Sequence, residues 1–304
     1  MKILVTGSSG LVGTALVNAL ARGGHTVCRL VRPQTAGGGG AKEGFVVAWN
    51  PATGELGGAG VGADAVVNLA GASIADGRWT TQRKELLCSS RIETTRALVG
   101  ALAKMNARPS VLVSASAIGY YGDRGDETLT EESKGGGDFL AGLAQEWEAE
   151  ALKARALGIR VVLVRFGIIL AREGGALPKM MLPFKIGVGG KLGSGQQWMS
   201  WVALEDVVGI LRLVIENASL RGAVNIVSPQ PLQNAEFTYV LAQAMHRPAL
   251  FPAPAFALRL ALGEMADALL LSSQRVLPGA LEKVGYRFLH ADLTSALAAV
   301  LVRN

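Results

Sequence analysis

The sequence predicts an α/β protein: a doubly wound parallel sheet of Rossmann type carrying a smaller, mostly helical C-terminal lobe. Three observations predict it. The first half of the chain alternates short β-rich runs with segments of helical period. A glycine-patterned turn, Thr6-Gly7-Ser8-Ser9-Gly10-Leu11-Val12-Gly13, follows the first β-rich run and opens the first helical one. The run from Ala65 to Ala70 is apolar without polar alternation, as a strand buried on both faces must be.

Each element follows from local pattern. Lys2 to Thr6 reads as a strand, and Leu11, Ala15, Leu16, Ala19 and Leu20 share one helical stripe. Thr26 to Val31 and Phe45 to Trp49 are the second and third strands, separated by the Gly37–Gly40 loop. Thr80 to Met105 reads as one long helix, with Leu87, Ile92, Thr95, Leu98, Val99 and Leu102 on one side. Val111 to Ala115 is a strand, Asp138 to Ala156 a helix and Arg160 to Arg165 a strand. After about residue 170 the rhythm breaks at Pro178, Pro183 and Gly187-Val188-Gly189-Gly190. A helix from Leu204 to Asn217 and a strand from Ala223 to Val227 return to the sheet, and from Asn234 the chain is mostly helical. The expected division is a nucleotide-binding domain over 1–175, rejoined by 200–228, and a smaller lobe from 176–199 and 229–304.

Composition excludes several classes. Half of the 304 residues are hydrophobic and 18% are charged, which rules out wholesale disorder. The longest membrane-like stretch, Phe251 to Leu271, is interrupted by Arg259, Glu264 and Asp267, so no membrane span is expected. Lys2 and the apolar stretch after it mimic a signal peptide, but Gly7-Ser8-Ser9-Gly10 interrupts it, and the expectation is an untargeted cytoplasmic protein. Cys28 and Cys88 read as free thiols, and His25, His246 and His290 are too scattered for a metal site. The net charge of +6 is dispersed and aromatics are 6%, which argues against nucleic acid and for a small anionic partner.

The glycine turn points to a dinucleotide. Gly7 permits the tight turn, Gly10 lets backbone approach a pyrophosphate, and Gly13 lets helix and strand pack closely. The amides of Leu11, Val12 and the rest of that first helical turn supply N–H donors and the positive end of a dipole. An NAD site places Asp or Glu about 20 residues beyond the turn, to accept from the ribose 2′-hydroxyl. The first 42 residues contain no acidic side chain, but do contain Lys2, Arg22, Arg29, Arg32 and Lys42. A 2′-phosphate would be repelled by a carboxylate and held by a guanidinium fork, so NADP(H) is the expected coenzyme. Arg32, at the end of the second strand, is the candidate cation, with Ser8 or Ser9 as hydroxyl donors.

With this turn, Asn68-Leu69-Ala70-Gly71 and Ser114-Ala115-Ser116-Ala117-Ile118-Gly119-Tyr120-Tyr121-Gly122, the chain resembles the extended short-chain dehydrogenase/reductases. More closely it is similar to their atypical "epimerase family" branch, the nucleotide-sugar-epimerase-like proteins. Matching motifs include Arg78-Trp79-Thr80, Ser90-Arg91-Ile92, Asp138-Phe139-Leu140, Trp147-Glu148 and Ser200-Trp201. The C-terminal part resembles that branch's tail domain of unknown function. The resemblance implies that Trp49, Leu69, Ala70, Gly71, Ser114 and Arg165 join the coenzyme site, that a homodimer forms through the two long helices, and that the stretch 179–197 receives substrate.

The wider family uses a Tyr-x-x-x-Lys pair, and this chain lacks it: four residues after Tyr120, Tyr121, Tyr239 and Tyr286 stand Arg124, Gly125, Gln243 and His290. The corresponding helix carries Phe139 and Leu143 instead. Ser116 matches the family's catalytic serine, and Tyr121 follows it as a candidate acid. Ser116 either donates a hydrogen bond to a carbonyl oxygen bearing developing charge, or merely lines the cleft with Tyr121. Glu146 and Glu148 are expected to be solvated, Met180-Met181-Leu182 to be core, and Asp206 to be structural. Two functions follow. One is an NADP(H)-dependent oxidoreductase or epimerase-like enzyme acting on a small, sugar-like or anionic substrate. The other is a non-catalytic NADP(H)-binding regulatory or scaffold protein, for example in cell division.

Overall fold

The computed structural model describes residues 1–31, 45–51, 54–56 and 62–302. One twisted sheet organises it, built from β1 (Lys2–Thr6), β2 (Thr26–Val31), β3 (Phe45–Asn50), β4 (Glu55–Leu56), β5 (Ala65–Asn68) and β6 (Val111–Ala117). The short β7 (Thr128–Leu129) lies outside it, whereas β8 (Arg160–Phe166) belongs to it. Three further short strands, β9 (Ile168–Leu170), β10 (Trp198–Met199) and β11 (Trp201–Ala203), precede its last member, β12 (Gly222–Ile226). The spatial order is β12-β8-β6-β5-β1-β2-β3-β4, seven strands parallel and β4 antiparallel at the edge. The strand order reverses between β1 and β5, and in such sheets ligands bind outside the carboxyl ends of the strands at that point.

Both faces of the sheet are covered. On one, α1 (Leu11–Arg22) and α6 (Leu204–Glu216) set Leu16, Val17, Leu20, Val207, Ile210 and Val214 against Ile3, Val5, Val113 and Val164. On the other, α3 (Ile92–Ala103) and α4 (Phe139–Leu152) cover Leu4, Leu30, Val66, Leu112 and Val161. Burial on both sides explains the unbroken apolar reading of β5, all four of whose residues are buried.

The single helix expected from Thr80 to Met105 is two: α2 (Thr81–Ser89) and α3, separated by Ser90 and Arg91. The Ser90 hydroxyl donates back to Leu87 O (3.3 Å) and accepts from Ala72 N (3.1 Å), and Arg91 Nη1 also takes Leu87 O (3.1 Å). These side chains compete for the carbonyls that would continue the ladder. Thr80 and Asp138 are N-caps, accepting from Arg83 N (3.2 Å) and Ala141 N (2.8 Å).

A second core joins α5 (Leu177–Lys185), α7 (Asn234–Ala244) and the terminal helix Leu293–Val302 around Trp201, Phe184, Phe237, Leu241 and Leu297. Small ladders tie this region together. Strand β9 pairs with β11, β10 with β13 (Leu232–Gln233), and β7 with β14 (Arg275–Val276). Met180 and Met181 pack against this core as expected, but Leu182 is exposed because it lies on the outer side of α5. The helix α8 (Ala255–Leu262) buries none of its residues. Among the described residues no helix is long and apolar enough to cross a membrane.

Asp206 fastens the tail to the sheet. Wholly buried in the first turn of α6, its carboxylate accepts from Leu289 N (2.8 Å), His290 N (3.0 Å) and the Tyr286 hydroxyl (3.3 Å).

Candidate functional site

The turn between β1 and α1 has the shape its glycines require. Gly7 has φ +63°, and a Cβ there would lie 2.4 Å from Leu69 O. A Cβ on Gly13 would lie 2.2 Å from Gly7 O, so only glycine lets the helix seat this closely. Gly10 N closes the turn on Gly7 O (3.1 Å). Gly10 caps α1 with no side-chain hydrogen bond, and no acidic residue stands in the first turn. The turn around Leu11 and Val12 is therefore an uncapped, carboxylate-free helix N-terminus, which fits a pyrophosphate.

Ser8 is buried and Ser9 exposed beside this turn. Arg29 on β2 reaches Ser8 Oγ with its Nε (3.3 Å), a placement that sequence reasoning counted among the basic residues but did not single out. Arg32 lies outside the described residues. Trp49, expected near the coenzyme, is 3% exposed within the core under α3, because its position on β3 faces the α3 side of the sheet.

Across the switch point, Thr6 Oγ1 donates to Asn68 Oδ1 (2.7 Å) and accepts from Leu69 N (3.1 Å). Asn68 Nδ2 reaches Thr95 Oγ1 (2.8 Å) and Ser114 Oγ (3.4 Å), and Trp147 Nε1 donates to the same Thr95 oxygen (2.9 Å). Ser114 thus serves a buried web that fixes the carboxyl ends of β1, β5 and β6. Leu69, Ala70 and Gly71 follow immediately, with Leu69 O against Gly7. Gly71 lies against the Arg91 guanidinium, where a Cβ would come within 3.2 Å of Cζ.

At the end of β6 the two candidate catalytic hydroxyls are already committed. Ser116 donates to Glu148 Oε1 at 2.6 Å. Arg165 on β8 grips the same carboxylate, and its Nη1 donates to the Tyr121 hydroxyl (2.9 Å). That hydroxyl donates in turn to Asn225 Oδ1 (2.7 Å) on β12. The Arg165 guanidinium stacks 3.5 Å from the Tyr120 ring centroid. Burial opposes its charge, yet Glu148 and Tyr121 hold its pKa above the ordinary value. Burial pushes the Tyr121 hydroxyl up to about 12, against the opposing pull of Arg165.

This network corrects one expectation outright: Glu148 is no solvated helix residue but 5% exposed and ion-paired, since α4 turns it toward β8. It also changes the role open to Ser116, whose proton faces Glu148 and not an incoming carbonyl. Arg165 likewise faces the protein interior. Glu148, Asn225 and Arg91 were missed; the only sequence signals were the Trp147-Glu148 dipeptide inside an otherwise apolar helix face and the Ser90-Arg91 motif.

The helix positions of the absent Tyr-x-x-x-Lys pair are filled by packing. Phe139 meets Trp79 edge-on at 5.4 Å, and Leu143 is buried with Leu87, Ile92 and Trp147. In the expected substrate stretch, Lys179 is paired with Asp76 (3.1 Å) and also donates to Ala75 O (2.9 Å), Lys191 donates to Ser194 O (3.1 Å), and Gln197 is buried.

Residues 3–227 match the model of the NAD dependent epimerase/dehydratase family, and residues 253–300 a domain of unknown function, DUF1731. An epimerase family protein of Mycobacterium leprae is 41% identical over 302 residues, covering 99% of this chain and 96% of that one. The epimerase family protein YfhF of Bacillus subtilis is 39% identical over 302 residues, 99% of this chain and 98% of that one. Among solved structures, the human epimerase family protein SDR39U1, crystallised with NADPH, superposes with a TM-score of 0.88 at 33% identity, covering 99% of both chains. A nucleoside-diphosphate sugar epimerase from Corynebacterium glutamicum gives 0.79 at 35% identity, with 99% of this chain spanning 58% of that one. On fold, glycine turn and sequence alike, the chain belongs to the NAD-dependent epimerase/dehydratase family.

Proposed function

We propose that the protein binds NADP(H) at the β1–α1 turn and acts as an oxidoreductase or epimerase-like enzyme on a small substrate. The observation that carries this reading is the uncapped, acid-free start of α1 beneath a turn in which Gly7 and Gly13 admit no Cβ. The amides of that turn would hold the pyrophosphate. Ser8 and Arg29, with Arg32 farther along the chain, supply hydroxyl and positive charge for a 2′-phosphomonoester. The human relative crystallised with NADPH supports the same choice.

Bound nicotinamide would supply hydride exchange, and the protein's own part is positioning and proton handling. With its proton turned to Glu148, Ser116 presents lone pairs and so accepts from a substrate hydroxyl, fixing its orientation. Tyr121, buried and hydrogen-bonded on both sides, stays protonated and braces Arg165.

A second reading, a binding protein that senses NADP(H) without turning it over, is favoured by one observation. Both hydroxyls nearest the expected reaction centre are spent inside the protein, and Phe139 and Leu143 replace the acid–base pair. Calorimetric titration with NADPH and NADH tests the shared claim, for which equal affinities would be fatal. A screen of carbonyl and sugar substrates for NADPH oxidation then separates the two: turnover establishes the enzyme, and tight binding with no turnover establishes the sensor.

A further inference from the structure

The loop leaving β5, residues 69–80, is held largely by cations. Arg91 donates to Ala72 O (2.8 Å) and Leu87 O (3.1 Å), and Arg83 Nη2 donates to Ser73 O. Arg78 donates to Leu260 O and Ala261 O at the end of α8. Most of these charges are answered. Lys179 pairs with Asp76, Lys84 pairs with Glu264, and Arg78 rests on the negative end of a helix dipole.

Arg83 and Arg91 are different. Among the described residues neither has a carboxylate at ion-pair distance; their hydrogen bonds go to backbone carbonyls one residue apart in the loop, with Ser90 Oγ 3.5 Å from Arg91 Nη1. Asp76 feels the charge of Arg83, but its hydrogen bonds go to Lys179 and Ser73. The Arg83 Nε–H is buried with no hydrogen-bond partner. Burial, with Arg83's positive charge adding to it and the Cys88 thiol opposing it, pushes Arg91 down to about 10. Two neighbouring guanidinium groups thus share a loop with no ion-paired carboxylate among the described residues and a buried donor left over. Asp76 near the Arg83 charge, and the Trp147 ring centroid 5.3 Å from Arg91, compensate them in part. Buried charges and donors in native proteins are normally answered, and the group that answers two guanidinium forks at once is an oxyanion.

We propose that Arg83 and Arg91 form an oxyanion subsite beside Gly71, Ala72 and Ser73, taking the carboxylate or phosphate of a bound small molecule. The placement deepens the proposed function and rests on it, because Leu69 of the same loop backs directly onto Gly7 of the coenzyme turn. The oxyanion has two possible sources, an acidic group on the substrate or a phosphate of the coenzyme.

Inorganic phosphate, titrated calorimetrically into the free protein and into protein saturated with NADPH, is the test. Wild type, Arg83→Met and Arg91→Lys are compared, with thermal unfolding to confirm that each variant folds. The expected result is saturable phosphate binding that persists under NADPH. Arg83→Met should weaken it at least about tenfold, ~1.4 kcal/mol, with NADPH affinity unchanged; this assigns the subsite to a substrate's acidic group. If NADPH expels phosphate and Arg83→Met weakens NADPH by the same factor, the subsite stands and its oxyanion is the coenzyme's. Phosphate binding that is absent in wild type, or identical in folded Arg83→Met, overturns the proposal. Loss of NADPH binding with phosphate binding intact would sink the coenzyme reading and leave the subsite standing.

Discussion

Glu148 on α4 and Arg165 on β8 form a buried, bidentate ion pair, Nε to Oε1 and Nη2 to Oε2 at 2.8 Å each. The pair joins the last central strands to the helix that carries the family's chemistry elsewhere, and it dictates what Ser116 and Tyr121 are free to do. Ser116 adds a further bond to Oε1 and the Tyr121 hydroxyl takes Arg165 Nη1, and such added hydrogen bonds are what make a buried pair tolerable.

Breaking that pair should be costly. Glu148→Gln or Arg165→Met leaves one charge buried and unanswered, a loss of about 3–5 kcal/mol. Urea denaturation would show it as a lower midpoint. The double variant Glu148→Leu/Arg165→Met should recover part of the loss, since no isolated charge remains.

Ser116→Ala removes a hydrogen bond to a charged acceptor and should cost about 1.5–3 kcal/mol of stability. Because the hydroxyl faces Glu148, NADPH affinity measured by calorimetry should stay at the wild-type value. A large loss of coenzyme affinity would mean that the hydroxyl faces the nucleotide instead.

Gly13→Ala sets a methyl group 2.2 Å from Gly7 O. The turn must open to admit it, so NADPH affinity should fall at least about tenfold, or ~1.4 kcal/mol. Gly24→Ala, at an exposed turn with open space around it, serves as a control for folding, though its φ of +78° carries backbone strain of its own.

Tyrosine ionisation supplies a pH signature. Tyr121 is held up to about 12 by burial, against about 10 in the unfolded chain. Tyr286 is also raised, by burial and by the neighbouring Asp206. A group whose pKa is raised by folding contributes stability below the unfolded value and loses it as pH climbs through the folded one. Stability should therefore fall between about pH 10 and 12, and Tyr121→Phe should flatten that decline. Absorbance titration at alkaline pH should show Tyr121 and Tyr286 ionising late, and ionisation of these two near the ordinary value of about 10 would contradict the structure.

Asp206→Ala deprives two tail amides and the Tyr286 hydroxyl of their acceptor. The expected outcome is a loss of about 1.5–3 kcal/mol for a charged acceptor, with faster proteolysis and amide exchange between residues 286 and 292. Exchange rates equal to wild type there would show that the tail is held by packing alone.

The elements legible from sequence were those whose periodicity reports burial directly. β1, β2, β5, β6 and β8 read as apolar runs because both sheet faces are covered, and α1 read as a stripe because only one of its sides meets the sheet. The break between α2 and α3 was not legible, since Ser90 and Arg91 disrupt the helix through partners at Ala72 that lie 18 and 19 residues away. Likewise Glu148 looks solvated in a list of residues, because its partner Arg165 sits 17 positions later on a strand.

The sequence alone determined the parallel α/β core, the glycine turn, the acid-free stretch that points to a phosphorylated dinucleotide, and the missing Tyr-x-x-x-Lys pair. All four are local or compositional and need no knowledge of what folds against what. The tertiary structure alone decided that Ser116 and Tyr121 give their protons to Glu148 and Asn225, that Trp49 is core, and that Arg83 and Arg91 share one loop with no ion-paired carboxylate among the described residues. Hydrogen-bond direction and charge compensation belong to pairs of distant residues, and only the packed chain brings those pairs together.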